Sequence, residues 1–226
     1  GTPFIQWQKG LELAKGKYIW IAESDDFASN DFLEKQLEIL ENNTAIGICF
    51  SASSWVDIDN NIIETPEHEA ANWLKTGNQL IIEEFTVGCP IYNASSAVFK
   101  RELVSKTNFD LITQFKFTGD WLFWVQIAKD TQVYHLGERL NFFRQHTQNV
   151  STESNKLGLQ FSEGYKVVNY ILANHTVSFF KKRKIMAKWA AKVKANHSIS
   201  AKKALELLPE EVQFWYWLLP IFNFFR

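Results

Sequence analysis

Two cysteines in 226 residues, Cys49 and Cys89, exclude a thiolate metal centre or a paired-cysteine redox motif, and they read as buried thiols in a reducing compartment. No apolar run reaches the roughly twenty residues that cross a bilayer. The segment from Val212 to Arg226 comes nearest and is interrupted by Pro220. Formal net charge is −1, so the chain as a whole lacks the basic excess of a nucleic-acid binder, and no recognition motif accompanies its lysines. A secretory signal is also missing from the sequence, although trimming would remove one without trace. The five Asn-x-Ser/Thr triplets, at Asn42, Asn93, Asn149, Asn174 and Asn196, therefore read as coincidence in an Asn- and Ser-rich chain.

What is present is apolar and aromatic. Hydrophobic residues make up 46%, with 9 Trp and 19 Phe, enough for one substantial core and a small helical appendage. Most of these rings are expected in the core rather than on sugar-stacking surfaces. Charge is unevenly placed: residues 1–149 hold 12 Lys and Arg against 20 Asp and Glu, and residues 150–226 hold 12 against 5. That asymmetry argues for two regions, 1–151 and 152–226.

The stretch from Tyr18 to Asp26 is the most informative. An apolar run of strand length, Tyr18-Ile19-Trp20-Ile21-Ala22, ends in Glu23-Ser24-Asp25-Asp26. Open α/β sheets place ligands at the carboxyl ends of their strands, and one or two carboxylates suit Mg²⁺ or Mn²⁺ when substrate phosphates complete the shell. Strand alternation would put Glu23 and Asp25 on one face and Asp26 on the other unless the backbone turns. An acidic turn leading into a capped helix is the structural alternative.

Periodicity and turn signals predict alternating elements: helix 5–14, strand 18–22, helix 31–41 with Phe32, Leu33, Leu37 and Leu40 on one stripe, and a buried strand 46–55. A polar excursion over 57–71 follows, with a turn at Asp59-Asn60-Asn61 and a break at Thr65-Pro66. Residues 81–86 are a short helix or strand, 95–99 a strand, 100–104 the start of a short helix, and 132–136 and 140–144 the last strands. Asp120 precedes an apolar helical pattern through Trp121, Trp124, Val125 and Ala128, where it could serve simply as the N-cap.

Beyond the acidic run, several further segments follow one another in a specific order. They are Gln6-Trp7-Gln8-Lys9-Gly10 with Leu13 to Ile19, Asn93 to Arg101, Gly119-Asp120-Trp121, and Leu140 to His146. In this order the chain resembles the family 2 glycosyltransferases. The resemblance implies an α/β, GT-A-like (Rossmann-like) mixed sheet with a C-terminal helical appendage. That family normally opens with a βαβ unit holding the nucleotide base; here the chain begins after it, so position 1 looks like a cut through a domain, with donor affinity expected to suffer.

The resemblance also implies roles. Asp25, Glu23 and His146 would lie at a Mg²⁺ or Mn²⁺ ion, with Asp25 ranked above Glu23 because the family commonly has Asp at the first motif position. Glu23, Asp25, Asp26, Lys9 and Arg144 would bind the nucleotide-sugar donor, and Arg144 could instead make a structural ion pair. Gly119, Trp121, Ser95 and Ser96 would lie at the acceptor, and Asp120 would be the base of an inverting transfer to a glycan or lipid-linked acceptor in surface-polysaccharide synthesis of a bacterial type. Two other classes stay open: a non-catalytic glycan- or membrane-binding module on a degenerate GT-A fold, and a different metal-dependent phosphate enzyme, which leaves the later motifs unexplained.

The tail differs in kind. Helices are predicted at 161–172, 179–194 and 200–208, and the second carries Lys181, Lys182, Arg183, Lys184, Lys188, Lys192 and Lys194 with no acid. A basic helix followed by an aromatic-rich end suits peripheral contact with an anionic membrane, and equally an aromatic end folded back under a solvated lysine face. The expected location is cytoplasmic, including the inner face of the membrane.

Overall fold

A computed structural model of the chain describes residues 2–145, 158–196 and 199–222. It has two compact units, Gly1–Ile81 with Pro90–Thr147, and Ile82–Cys89 with Gln148–Arg226. The boundary expected near residue 151 lies outside the described residues.

In chain order the first unit contains α1 (Pro3–Leu13), β1 (Tyr18–Trp20), β2 (Phe27–Ala28), α2 (Phe32–Asn42), β3 (Ile46–Val56), β4 (Ile62–Glu64), β5 (Trp73–Thr76), α3 (Gly77–Leu80), β6 (Ala97–Lys100), α4 (Phe109–Ile112), α5 (Gly119–Ala128) and β7 (Gln132–Arg144). The strands form one mixed sheet in the order β1-β6-β3-β7-β2, with β4 added to β3 and β5 to β7. Among the described residues only β3 and β7 run parallel; the other pairings are antiparallel.

β3 is central and buried along nearly its whole length, because helices cover both faces of the sheet. On one side Phe32 and Leu40 of α2 join Ile46, Cys49, Val98 and Leu140 in a single cluster. On the other, Phe99 meets Phe123 and Trp124 of α5 edge to face, each at 5.6 Å. The stripe expected on α2 needs one correction: Leu33 is exposed, and Gln36 is fully buried in the helix–sheet seam. The Gln36 amide is held there by donating to Ser96 O at 3.0 Å and accepting from Val98 N–H at 3.2 Å, which satisfies backbone groups at the start of β6.

The two strands expected at 132–136 and 140–144 are one strand, β7, whose register against β3 shifts twice around Ala52. Gly137 permits this. A Cβ there would lie 2.4 Å from Ala70 O, and the Gly137 N–H is taken by Asn72 Oδ1 at 2.7 Å. β5 has no counterpart among the expected elements, since its four residues are held by pairing with β7 rather than by propensity.

The second unit is helical: α6 (Leu159–Asn174), α7 (Phe179–Ala195), α8 (Ile199–Glu206) and α9 (Glu210–Phe222). Tyr165 of α6 packs edge to face on Trp189 of α7 at 5.7 Å, and Trp189 Nε1 donates to Thr86 O at 2.8 Å. Among the described residues no helix is long and apolar enough to cross a membrane.

Candidate active site

β1 stops at Trp20, earlier than its apolar run suggests, because the next groups are held from the side. Trp20 Nε1 donates to Ser95 O at 2.8 Å, the Glu23 N–H donates to Ser95 Oγ at 2.9 Å, and the Asp26 N–H donates to Glu23 O at 3.3 Å, closing a turn. The strand alternation expected through Asp26 is thus replaced by a turn. It leaves Asp25 exposed and draws Glu23 and Asp26 inward.

Burial pushes the Glu23 carboxyl up to about 7, and the charges of Asp26, Asp120 and Asp25 add to it in that order. Asp120, nearly one hundred residues away in the chain, therefore faces the acidic turn. Burial also raises Asp26, opposed first by the Arg144 backbone N–H, then by the side chains of Ser95 and Asn93. Asn93 itself is fixed at the head of a short helical turn, with its Oδ1 accepting from the Ser95 N–H at 2.9 Å.

Asp120 is not the N-cap of α5. Thr118 holds that position, and Asp120 lies inside the first turn, where the helix dipole favours a carboxylate. The packing that aims it comes from α1. A Cβ on Gly119 would stand 2.5 Å from the Phe4 ring and 3.0 Å from Ile112 O, so glycine alone lets Phe4 close on the start of α5. Trp7 then bridges Phe4 and Phe123, with ring centroids 5.6 Å from each.

Arg144 closes the opposite side. Its N–H donates to Asp26 Oδ1 at 2.9 Å, Nε to Asp25 O at 2.8 Å, Nη1 to Asp57 O and Ile58 O at 2.6 and 3.2 Å, and Nη2 to Asn60 Oδ1 at 2.6 Å. Neither a diphosphate nor a carboxylate side chain is needed to explain this guanidinium: it ties the acidic turn to the polar excursion. Asp57 organises the excursion by accepting from the Asp59 and Asn61 N–H groups and from Asn61 Nδ2, and Asn60 takes the left-handed φ of 68°.

The residues expected at the acceptor are all internal. Ser95 Oγ is engaged with Glu23, Ser96 Oγ donates to Asn93 O at 2.7 Å, Gly119 lies under Phe4, and Trp121 is only 5% exposed. They support the site instead of lining its open side. Lys9 is exposed on α1 without an ion pair or hydrogen bond among the described residues, and His146 lies outside them. Sequence reasoning missed a half-buried trio, Trp55, Tyr92 and Phe143, whose ring centroids are 5.8 to 6.1 Å apart. Trp55 Nε1 donates to the Tyr92 hydroxyl at 3.2 Å, and buried Glu69, which accepts from the Ser53 N–H at 2.8 Å, also bonds that hydroxyl. A lone Glu in a polar loop gave no signal for this.

Against this geometry the relatives can be set. The family model described as glycosyl transferase family 2 matches residues 3–107. Those residues, a little under half of the chain, are thus similar to family 2 glycosyltransferases. The uncharacterized glycosyltransferase MJ1057 of Methanocaldococcus jannaschii is 30% identical over 123 residues, covering 54% of this chain and 40% of that protein. Among solved structures, S. aureus TarS 1-349 aligns with a TM-score of 0.61 at 13% identity, over 95% of this chain and 63% of that one. Its complex with UDP-GlcNAc aligns at 0.59, over 92% and 62%. The chain thus spans less than two thirds of each of these relatives, and the likeness to TarS is one of fold. That fold is GT-A-like, a mixed sheet flanked by helices with a helical C-terminal part.

The matched segment contains the acidic turn and Asn93–Ser95, while Asp120 and Arg144 lie beyond residue 107. Among the described residues no three His, Cys, Asp or Glu side chains converge closely enough to cage a metal ion. The donor set fits a different arrangement. Burial already disfavours charge on Glu23, and the negative charges of Asp26, Asp120 and Asp25 add to that, an excess that a divalent cation sharing its shell with phosphate oxygens would offset.

A shallow cleft of about 750 Å³ lined by Lys100, Lys106, Lys129 and Asp130 belongs elsewhere. Lys100 pairs with Tyr18, at the end of β1 opposite the carboxylates.

Proposed function

We propose that the chain is part of an inverting glycosyltransferase that moves a sugar from a nucleoside diphosphate donor to an acceptor hydroxyl. The carrying observation is that Asp120 and the acidic turn, brought from distant parts of the sequence, share one electrostatic patch around Glu23. A general base must reach the acceptor proton while the leaving group is stabilised on the far side of the sugar. Asp120, held by the Phe4 and Gly119 contact, accepts the proton from the acceptor hydroxyl as its oxygen bonds the anomeric carbon. The bond from that carbon to the phosphate oxygen breaks, and the electron pair leaves with the diphosphate.

Asp25 and Asp26, with Glu23 behind them, would hold Mg²⁺ or Mn²⁺, which supplies charge neutralisation for the diphosphate. Arg144 keeps Asp25 and Asp26 in place through their backbone and carboxylate oxygens. UDP-linked sugars are the first donors to try, since TarS was crystallised with UDP-GlcNAc. The half-buried Trp55, Tyr92 and Phe143 rings offer a wall on which an acceptor sugar could stack, one residue from Arg144, and a glycan or lipid-linked acceptor fits that surface. Catalysis on the cytoplasmic side of the membrane, in polysaccharide synthesis, agrees with such substrates.

The test is thermal stabilisation by UDP with Mn²⁺. Asp25→Asn should abolish a metal-dependent shift in melting temperature, whereas Asp120→Asn should keep it and lose transfer in the whole enzyme. A shift that survives Asp25→Asn unchanged removes the acidic turn from the donor site.

A further inference from the structure

From the helical unit alone we infer that α7 is a docking surface for an anionic phospholipid bilayer. Ile185, Met186, Trp189, Ala190 and Val193 turn inward on this helix. Phe180, Lys184 and Lys188 recur at four-residue steps on the opposite stripe, where Phe180 is 83% exposed and both lysines are exposed. Phe179 beside it is 64% exposed, and Lys182 and Arg183 flank the pair. Two adjacent phenylalanines in water at the head of a helix are unexplained by the unit's own core.

Charge complementarity selects the occupant. α7 carries seven Lys and Arg and no acid, and the one acid of α6, Glu163, is buried. The unit's exposed acids lie elsewhere: Glu83 in the Ile82–Cys89 segment, which meets α7 on the side of Trp189 and Lys192, and Glu206, Glu210 and Glu211 in α8 and α9. Several cations are engaged locally: Lys192 Nζ donates to Val87 O at 3.1 Å, Lys194 lies over Tyr216, and Arg183 covers Phe179 and Trp215. Lys184 and Lys188 remain turned outward, in line with Phe180 at the helix start. α9 adds Phe214 and Trp217, 56% and 72% exposed, three residues apart on one of its faces. Aromatic rings entering the headgroup level while lysines meet lipid phosphates is the arrangement of an interfacial helix. A duplex nucleic acid would use the lysines and leave Phe180 without a role, and a single strand, which could stack a base on that ring, is the competitor that the test includes.

The experiment is co-sedimentation of the chain with phosphatidylcholine vesicles, pure or containing about 30% phosphatidylglycerol, with single-stranded RNA as the competing polyanion. Binding is expected only to the anionic vesicles and should fall when salt is raised to about 0.5 M. At about fivefold per cation, Lys184→Gln with Lys188→Gln should weaken it roughly 25-fold. Phe180→Ser should weaken it at constant charge. All three side chains are exposed, so the melting temperature should not move. No binding to anionic vesicles, equal binding to neutral ones, or an affinity that ignores Phe180→Ser while RNA competes fully would each overturn the assignment. Nucleotide binding is measured separately, so failure here leaves the transferase reading untouched.

Discussion

The backbone N–H of Arg144 donates to Asp26 Oδ1 over 2.9 Å, while its guanidinium reaches Asp25 O and Asn60 Oδ1. One residue at the end of β7 thus fixes both the acidic turn and the excursion after β3. Arg144→Ala keeps the first bond and removes the rest, leaving the carbonyls of Asp25, Asp57 and Ile58 to water. Loss of about 1–3 kcal/mol is expected from the urea midpoint, together with a weaker response to Mn²⁺ and UDP. Arg144→Lys should recover little, since one ammonium cannot span a fork of four acceptors. Full recovery by lysine would mean that charge alone matters there.

Gly119 and Phe4 supply a second test. Gly119→Ala drives a methyl into the Phe4 ring and toward Ile112 O, so it should destabilise by about 1–3 kcal/mol and displace Asp120. Phe4→Leu opens space on the ring side. The double variant should then be more stable than the sum of the single losses predicts. Strict additivity would show that the two positions do not meet.

Gln36 is the buried amide that bridges α2 to β6. Gln36→Leu keeps the volume near constant but strands the Val98 N–H and Ser96 O, at an expected cost of about 1–3 kcal/mol. The same substitution at the exposed Gln6 should change stability by less than about 0.5 kcal/mol, which makes chemical denaturation of the pair a direct comparison.

Where a segment's own pattern carries the information, the fold is legible. The apolar runs through Ile19 and through Ile48 to Phe50, the stripe on α2 and the basic α7 all form the elements that their periodicity indicates. Errors arise where a distant partner decides. β5 exists because β7 lies beside it, and the bulged, continuous β7 exists because Gly137 admits Ala70. Gln36, polar in a stripe of leucines, is buried because β6 offers it two backbone partners. In the site, the acidic turn can be read locally, but Arg144's five bonds and the Glu69 and Tyr92 contact link residues tens of positions apart. No local pattern encodes them. Resemblance puts Trp121 and Ser96 at the acceptor, and packing buries both.

Glu23 gives the site a pH signature. Its carboxyl titrates near 7 in the fold and near its ordinary value, 4.5, when unfolded. Between those values the native state holds a proton that the unfolded chain has released, so stability falls as pH rises from about 4.5 to about 7 and stays low above. The span sets an upper bound of about 3 kcal/mol. Asp31, held down to about 2 by its hydrogen bond to Lys35, has the opposite sign, but its contribution is lost only below about pH 4, outside this window. Glu23→Gln should therefore remove the fall in the urea midpoint between about pH 5 and 7 in chelator-treated buffer and raise stability at about pH 8, leaving the opposite rise toward about pH 6.5 from His135, which burial holds below its ordinary value. Added Mn²⁺ at that pH should stabilise the wild-type chain more than the Glu23→Gln variant, because only an ionised carboxylate gains from the cation. A profile that keeps its slope in Glu23→Gln would move the titration to Asp26, the other inward carboxylate of the turn.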